Sequence, residues 1–379
     1  MLLASDVHLS HLGSPAPADD LARLVREHAG HEIVLAGDIF DLSHERPSID
    51  PAESAASLLE RHTALRGALR SHLAQGGAVT FIAGNHDAAI GALPSRERML
   101  SVLDVTAGAR LEHCPWFVRR AGTHIEHGHF YDPDNAPTHP LAPCSAATEP
   151  LGVQLTRRFL VPSGAWDFAH AHETTPLGGL ARAFRLYGRR APRVVAQYFA
   201  TSIPLCARAG RASRFEPELR RGGAAIADFA NGAGLDSDVV QRLTALGARP
   251  TLHSFRGTFM RLYFDRIIAT LAFVSGASAA VAGRTSGAGL AAASAAYLSA
   301  SVRRSGSRYA GRVEVRLRHA AAAVASLSGA DLVVFGHSHI EDETTGYLNL
   351  GSFAYAGEKG RPYAVIQDGQ IERRHARLT

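Results

Sequence analysis

The chain has 379 residues, 46% apolar and 20% charged, which excludes a largely disordered polypeptide and leaves room for two domains or one with a large insertion. All but one of its 40 basic residues are arginine, and the net charge of +5 hides an asymmetry. Residues 151–320 carry 24 arginines against 9 acidic residues, whereas the rest carries 16 basic against 26 acidic, a split that points to two separate jobs in one chain. Three cysteines, Cys114, Cys144 and Cys206, form no CxxC pair and their odd number fits no disulfide framework, so a reducing compartment is expected. The opening Met1-Leu-Leu-Ala-Ser-Asp is strand-like without a basic n-region, so no secretory signal is expected.

In chain order, short apolar runs end abruptly in polar clusters. Leu2-Leu-Ala-Ser runs into Asp6-Val-His8, and Ile33-Val-Leu-Ala into Gly37-Asp38. Ala78 to Ala83 runs into Gly84-Asn-His-Asp87, Thr123 to Glu126 into His127-Gly-His129, and Leu332 to Phe335 into Gly336-His-Ser-His339. Runs of this length, rich in branched residues and closed by glycine, predict buried strands. Helix-length segments lie between the early ones, at Asp19–Ala29, Ser54–Gln75 and Ser95–Leu103. The alternation predicts an α/β sheet, in which sites form beyond the carboxyl ends of strands. All five polar clusters fall at such ends. From about Pro140 to Ala320 strand signals fade, Arg-Arg pairs multiply, and residues 267–302 contain a single charge, Arg284. The sheet pattern resumes near Asp331.

The clusters supply metal-ligand chemistry. Asp6 and His8 alternate at one strand end and can face one point. Asp38, Asn85, His127, His337 and His339 complete the set. Imidazole, carboxylate and amide oxygen together suit Mn, Fe, Zn or Co better than Mg or Ca. Seven ligands are too many for one tetrahedral ion and fit two divalent ions bridged by a carboxylate, an arrangement that clamps an in-line displacement at phosphorus. Asp87 reads as a turn cap, with a direct role in the chemistry as the alternative. His129 and Tyr131-Asp-Pro-Asp-Asn135 read either as turn chemistry, the preferred reading, or as part of a substrate mouth.

The series Asp6-x-His8, Gly37-Asp38-x-x-Asp41, Gly84-Asn85-His86-Asp87, His127-Gly128-His129 and Gly336-His337-x-His339 resembles the calcineurin-like metallophosphoesterases. Tyr347–Phe353 resembles the strand those enzymes place after their last histidines. The resemblance covers about 1–135 and 325–379. It implies a four-layer αββα sandwich of two mixed sheets between helices. On this reading residues 1–139 and 321–379 form the core, and 140–320 a basic, mainly helical insertion. By resemblance one metal takes Asp6, His8 and His339, the other takes Asn85, His127 and His337, and Asp38 bridges. Manganese is the first choice of ion. A metal-bridging hydroxide then attacks phosphorus. His86 is no ligand in this scheme; it stands over the phosphate and either stabilises charge or protonates the leaving oxygen, oriented by Asp41.

The insertion suggests a partner. Between Leu151 and Arg193 arginines interleave with Phe159, Trp166, Phe168, Phe184 and Tyr187, a pattern that fits an interfacial helix set or a solvated basic face. The uncharged stretch 267–302 has glycines at 276, 283, 287 and 289 and arginines beyond both outer ends, as a membrane-associating hairpin returning to the cytoplasmic side requires. A buried helical pair in a soluble domain reads the same way. The expected substrate carries phosphate, and the basic charge favours an anionic membrane surface over nucleic acid as partner. The expected location is cytoplasmic, peripheral or monotopic at the inner face of the cell membrane. Within the family this combination resembles the UDP-2,3-diacylglucosamine diphosphatases. A soluble phosphodiesterase or nuclease with a basic lid, and a non-catalytic metal-binding module that recruits a partner, are the alternatives.

Overall fold

The structure, a computed structural model, describes residues 1–45, 49–168, 174–306, 308, 313–367 and 369–378. Each predicted apolar run forms a strand. Leu2–Ala4 (β1), Ile33–Ala36 (β2), Ala78–Ile82 (β3) and Arg110–Cys114 (β4) pair in parallel, in that order. With Arg361–Gln367 (β10) added antiparallel to β1 and Gln370–Ala376 (β11) antiparallel to β10, they make a six-stranded sheet of order β11-β10-β1-β2-β3-β4. The second sheet has the order β5-β6-β7-β9-β8, from Phe117–Arg120 (β5), Thr123–Glu126 (β6), Leu332–Phe335 (β7), Glu341–Thr344 (β8) and Tyr347–Leu350 (β9). Its central strands β6, β7 and β9 are parallel.

Strand alternation distributes the core. Leu2, Ile33, Leu35, Val79 and Phe81 point one way, under helices Ala16–Glu27, Pro51–Arg61 and Thr63–Ala74. Leu3, Val34, Ala36 and Ile82 point the other way and meet Val118, Ile125, Val334 and Leu348 of the second sheet. Strands covered on both faces are apolar at successive positions, which is why these runs do not alternate with polar residues. The outer face of the second sheet is covered in turn by helices, through Val240, Leu243, Leu317 and Val324. Four layers result, αββα, as expected.

The chain divides into two compact units. One comprises Met1–Val153, Ser213–Pro250 and Val313–Thr379, the other Gln154–Ala212 and Thr251–Arg312. The first unit is thus larger than the core assigned from sequence. Helices Ile226–Ala233 and Ser237–Thr244 present Ala230, Val240 and Leu243 to Trp116, Phe117 and Leu317, and this burial ties 213–250 to the sandwich. The second unit, among the described residues, is helical. Its principal helices are Pro176–Tyr187, Ala191–Arg208, Phe264–Val281 and Thr285–Ser305. It has a small buried cluster around Phe159, Ala165 and Val194.

Candidate metal centre and active site

The five polar clusters follow β1, β2, β3, β6 and β7 directly, so the parallel strands of both sheets deliver them to one end of the sandwich. The backbone there is tightly wound. Among the described residues, eight non-glycine residues have positive φ, and five of them are predicted ligands: Asp6, His8, Asp38, His337 and His339. Left-handed Asp and His are tolerated better than most side chains, but each still costs on the order of 1–3 kcal/mol, and such costs concentrate at functional sites. Gly84 allows the third cluster to approach the second, since a Cβ there would lie 2.1 Å from Asp38 Oδ1.

Three groups of side chains converge, and the third, His8, Asp41 and His86, shares His8 with the first. Asp6, His8 and His339 form the first, with all ligand atoms within 4.8 Å of one another. His339 Nε2 lies 3.1 Å from Asp6 Oδ1 and 3.2 Å from His8 Nε2. Asp6, Asp38 and His127 form the second, with His127 Nε2 3.2 Å from Asp38 Oδ2 and 4.0 Å from Asp6 Oδ1. Asp6 therefore belongs to both of these groups, whereas the resemblance gives the shared carboxylate as Asp38. His337 stands beside the second group. The His337 and His127 rings are 5.2 Å apart, and Asn85 is buried.

The residues present suit divalent ions. Asn85 Oδ1 is buried and makes no hydrogen bond among the described residues, and buried Asp6 Oδ1 and His127 Nε2 face other predicted ligands, His339 and Asp38, an arrangement that coordination would satisfy. Neighbouring groups orient the ligands. His127 Nδ1–H donates to the Ala36 carbonyl at 3.0 Å, which leaves the Nε2 lone pair facing the carboxylates. His337 Nε2–H donates to Asp132 at 3.1 Å and leaves Nδ1 as the acceptor. The Asn85 amide donates to Asn135 Oδ1 at 3.3 Å, which turns its own Oδ1 away from that contact. Burial would raise the Asp6 carboxyl, but His127, His339 and His8 hold it well below the usual carboxylate range. Burial lowers His127, and Asp38 and Asp6 overcome this to raise it to about 9. The field that draws a proton onto His127 also draws a cation.

His86 adjoins the first group: it converges with His8 and Asp41, and its ring centroid is 5.1 Å from that of His8. Its Nδ1 lies 2.8 Å from Asp41 Oδ1, and its backbone N–H donates to Asp38 Oδ1 at 2.8 Å. Asp41 also accepts from the Ser43 hydroxyl and the Ser43 N–H. Burial lowers the His86 imidazole, but Asp41 and Asp38 prevail and push it up to about 10. Asp87 accepts from the N–H groups of Asp38, Ile39, Phe40 and Gly84, so it caps the turn as read from sequence and also binds two ligand loops together. His129 opens a short 3-10 turn, His129–Tyr131, and its buried ring is 5.3 Å from that of His127. The preferred turn reading of Asp132 and Asn135 was too narrow, because both reach back to predicted ligands. Tyr355 was not singled out at all. It is 62% exposed, with its ring centroid 5.5 Å from His339 and 6.3 Å from His8, at the rim of the site.

No curated protein matches this chain. Residues 1–192 match the family model of the calcineurin-like phosphoesterases, which takes in the first four polar clusters and ends before His337 and His339. That match, over half of the chain, stands beside a two-sheet α/β sandwich and His/Asp groups able to hold metal. The chain belongs to the calcineurin-like phosphoesterase family and is a metal-dependent phosphoester hydrolase.

Proposed function

We propose that the protein hydrolyses a phosphoester or diphosphate bond of a lipid-linked substrate at the cytoplasmic face of a membrane, with UDP-2,3-diacylglucosamine as the type of molecule. Asp6, His8 and His339 would hold one divalent ion, Asn85, His127 and His337 the other, and Asp38 would join them, with manganese as the working ion. Two such ions supply an activated water and neutralise the charge that develops on the phosphoryl oxygens. The protein's own groups do the rest. His86, positively charged at neutral pH, faces the phosphoryl group and gives its Nε2 proton to the leaving oxygen. Asp41 holds Nδ1–H and so fixes both the ring and its tautomer. Asp38 Oδ1, by accepting the His86 N–H, keeps that loop in register with the ligands. Tyr355 flanks the entrance.

The lipid part of this reading rests on one observation. On helix Pro176–Tyr187 the side chains Leu177, Leu180 and Phe184 share a face and are 57%, 41% and 50% exposed. An apolar row left in the open between arginines (Arg182 and Arg185 lie on the same helix) matches an interfacial helix that meets lipid.

The test is manganese-dependent hydrolysis of UDP-2,3-diacylglucosamine in detergent, beside a bis-aryl phosphodiester, with Asp38→Asn as blank. Cleavage of both by the wild type alone is expected. Cleavage of the diester alone would keep the hydrolase and discard the lipid substrate.

A further inference from the structure

We propose that the hairpin of helices Phe264–Val281 and Thr285–Ser305 inserts into the hydrocarbon core of an anionic bilayer. Its root would lie among the headgroups of one leaflet and Arg284 at the opposite interface. This goes beyond surface contact, and rests on the lipid-substrate reading only for the choice of the cytoplasmic side.

The hairpin is unsuited to water. Between Arg266 and Arg303 it carries one charge, Arg284, which sits at its tip. Phe264–Val281 is long and apolar enough to cross a membrane, yet only 22% of it is buried. A core helix of a soluble domain with this composition would be mostly covered. Instead Ile268, Leu271, Val274 and Val281 are exposed on it, at 56%, 62%, 50% and 91%. The partner helix exposes Leu290 and a run of alanines.

Its internal construction suits hydrocarbon. The two helices meet backbone to backbone: a Cβ at Gly276 would lie 2.7 Å from Ala291 N, and one at Gly287 would lie 2.6 Å from Gly276 O. Close packing of small residues associates helices where apolar burial cannot. Two of its hydroxyls bond within the helix, Thr270 donating to Arg266 O and Ser278 to Val274 O. Eighteen residues at about 1.5 Å rise span about 27 Å, close to the roughly 30 Å of a hydrocarbon core.

The root is polar and fixed. Arg266, fully buried, donates to Ser301 O, Ser305 Oγ and Gly306 O. Arg308 pairs with Asp265, which also accepts from Tyr297. Arg303 and Arg304 are exposed beside this clasp, where they meet anionic headgroups. Several arginines at the root against one at the tip orient the hairpin with its root inside.

The test floats full-length protein on vesicles of phosphatidylglycerol and phosphatidylcholine through a sucrose gradient, at low and high salt. Wild type is expected to float and to stay bound at high salt. The double variant Leu271→Asp, Val274→Asp is expected to lose flotation on the order of ten-fold or more. Both positions are exposed, so its melting temperature and its hydrolysis of the bis-aryl diester should match wild type. Wild type left at the bottom, stripped by salt, or matched by the double variant would each overturn insertion. Self-association in plain buffer that the double variant abolishes, without flotation, would overturn it in favour of a second copy as the occupant. Failure here leaves lipid hydrolysis in detergent untouched, so the two readings fail separately.

Discussion

The proton on His86 is held by two carboxylates, Asp41 in direct contact and Asp38 nearby, against the burial that would expel it. With the imidazole raised to about 10, the acid form persists through neutral pH and is lost as pH rises through that value. Asp41→Asn removes a charge that raises it and leaves burial opposed by less. The high-pH limb of kcat should therefore move down by about one unit or more, and a limb that stays in place would assign the acid elsewhere. His86→Ala should lower kcat on the order of 10²–10⁴-fold with bound metal unchanged by elemental analysis. Asp132→Ala and Asn135→Ala should weaken metal retention roughly 10–100-fold, read by titration calorimetry, because His337 and Asn85 lose their orienting partners. The ligand types were legible as residues because each cluster closes an apolar run. Asp132 and Asn135 were not, since Asp-Pro and Asp-Asn are strong local turn signals, while the contact that matters spans 205 residues to His337.

At the level of elements, strands and hairpin were legible for opposite reasons. Strands buried on both faces leave continuous apolar runs, and the hairpin leaves a gap in charge. The glycines of that gap divide into two kinds. Gly276 and Gly287 sit at the helix crossing, whereas nothing approaches Gly289, and Gly283 forms part of the turn. Gly276→Leu should force the helices apart at a cost of about 1–3 kcal/mol, seen as faster amide exchange within 264–305, with diester hydrolysis unchanged. Gly289→Ala, in open space on helix Thr285–Ser305, should instead slow exchange slightly, by the helix preference of alanine over glycine. Helices Ile226–Ala233 and Ser237–Thr244 were read as insertion. An amphipathic helix declares that one face is covered without declaring by what, and here the cover is Trp116, Phe117 and Leu317 of the sandwich.

For the whole molecule, the charge asymmetry sharpens once the two units are known. Residues 154–212 and 251–312 hold 17 arginines and 3 acidic residues, while 213–250 hold five of each. The segment packed with the sandwich is neutral and those flanking it are basic, so the basic charge belongs to the second unit. The sandwich, in turn, should depend on its ions. Chelation should lower its melting temperature, and manganese at about 100 times its dissociation constant should restore about 2.7 kcal/mol, several degrees for a unit of this size. A melt indifferent to chelator would mean that the site does not couple to folding.

The last two histidines lie far along the chain, His337 being 210 positions after His127, with the hairpin in between. During synthesis at about 5–20 residues per second, that gap lasts about 10–40 s. Throughout it Asp6, His8, Asp38, Asn85 and His127 have been made without the partners that complete either ion's set. The hairpin is finished before those partners exist. A nascent chain therefore has no complete ligand set until the hairpin is already made, so the order of translation itself withholds hydrolysis until nearly the whole chain exists.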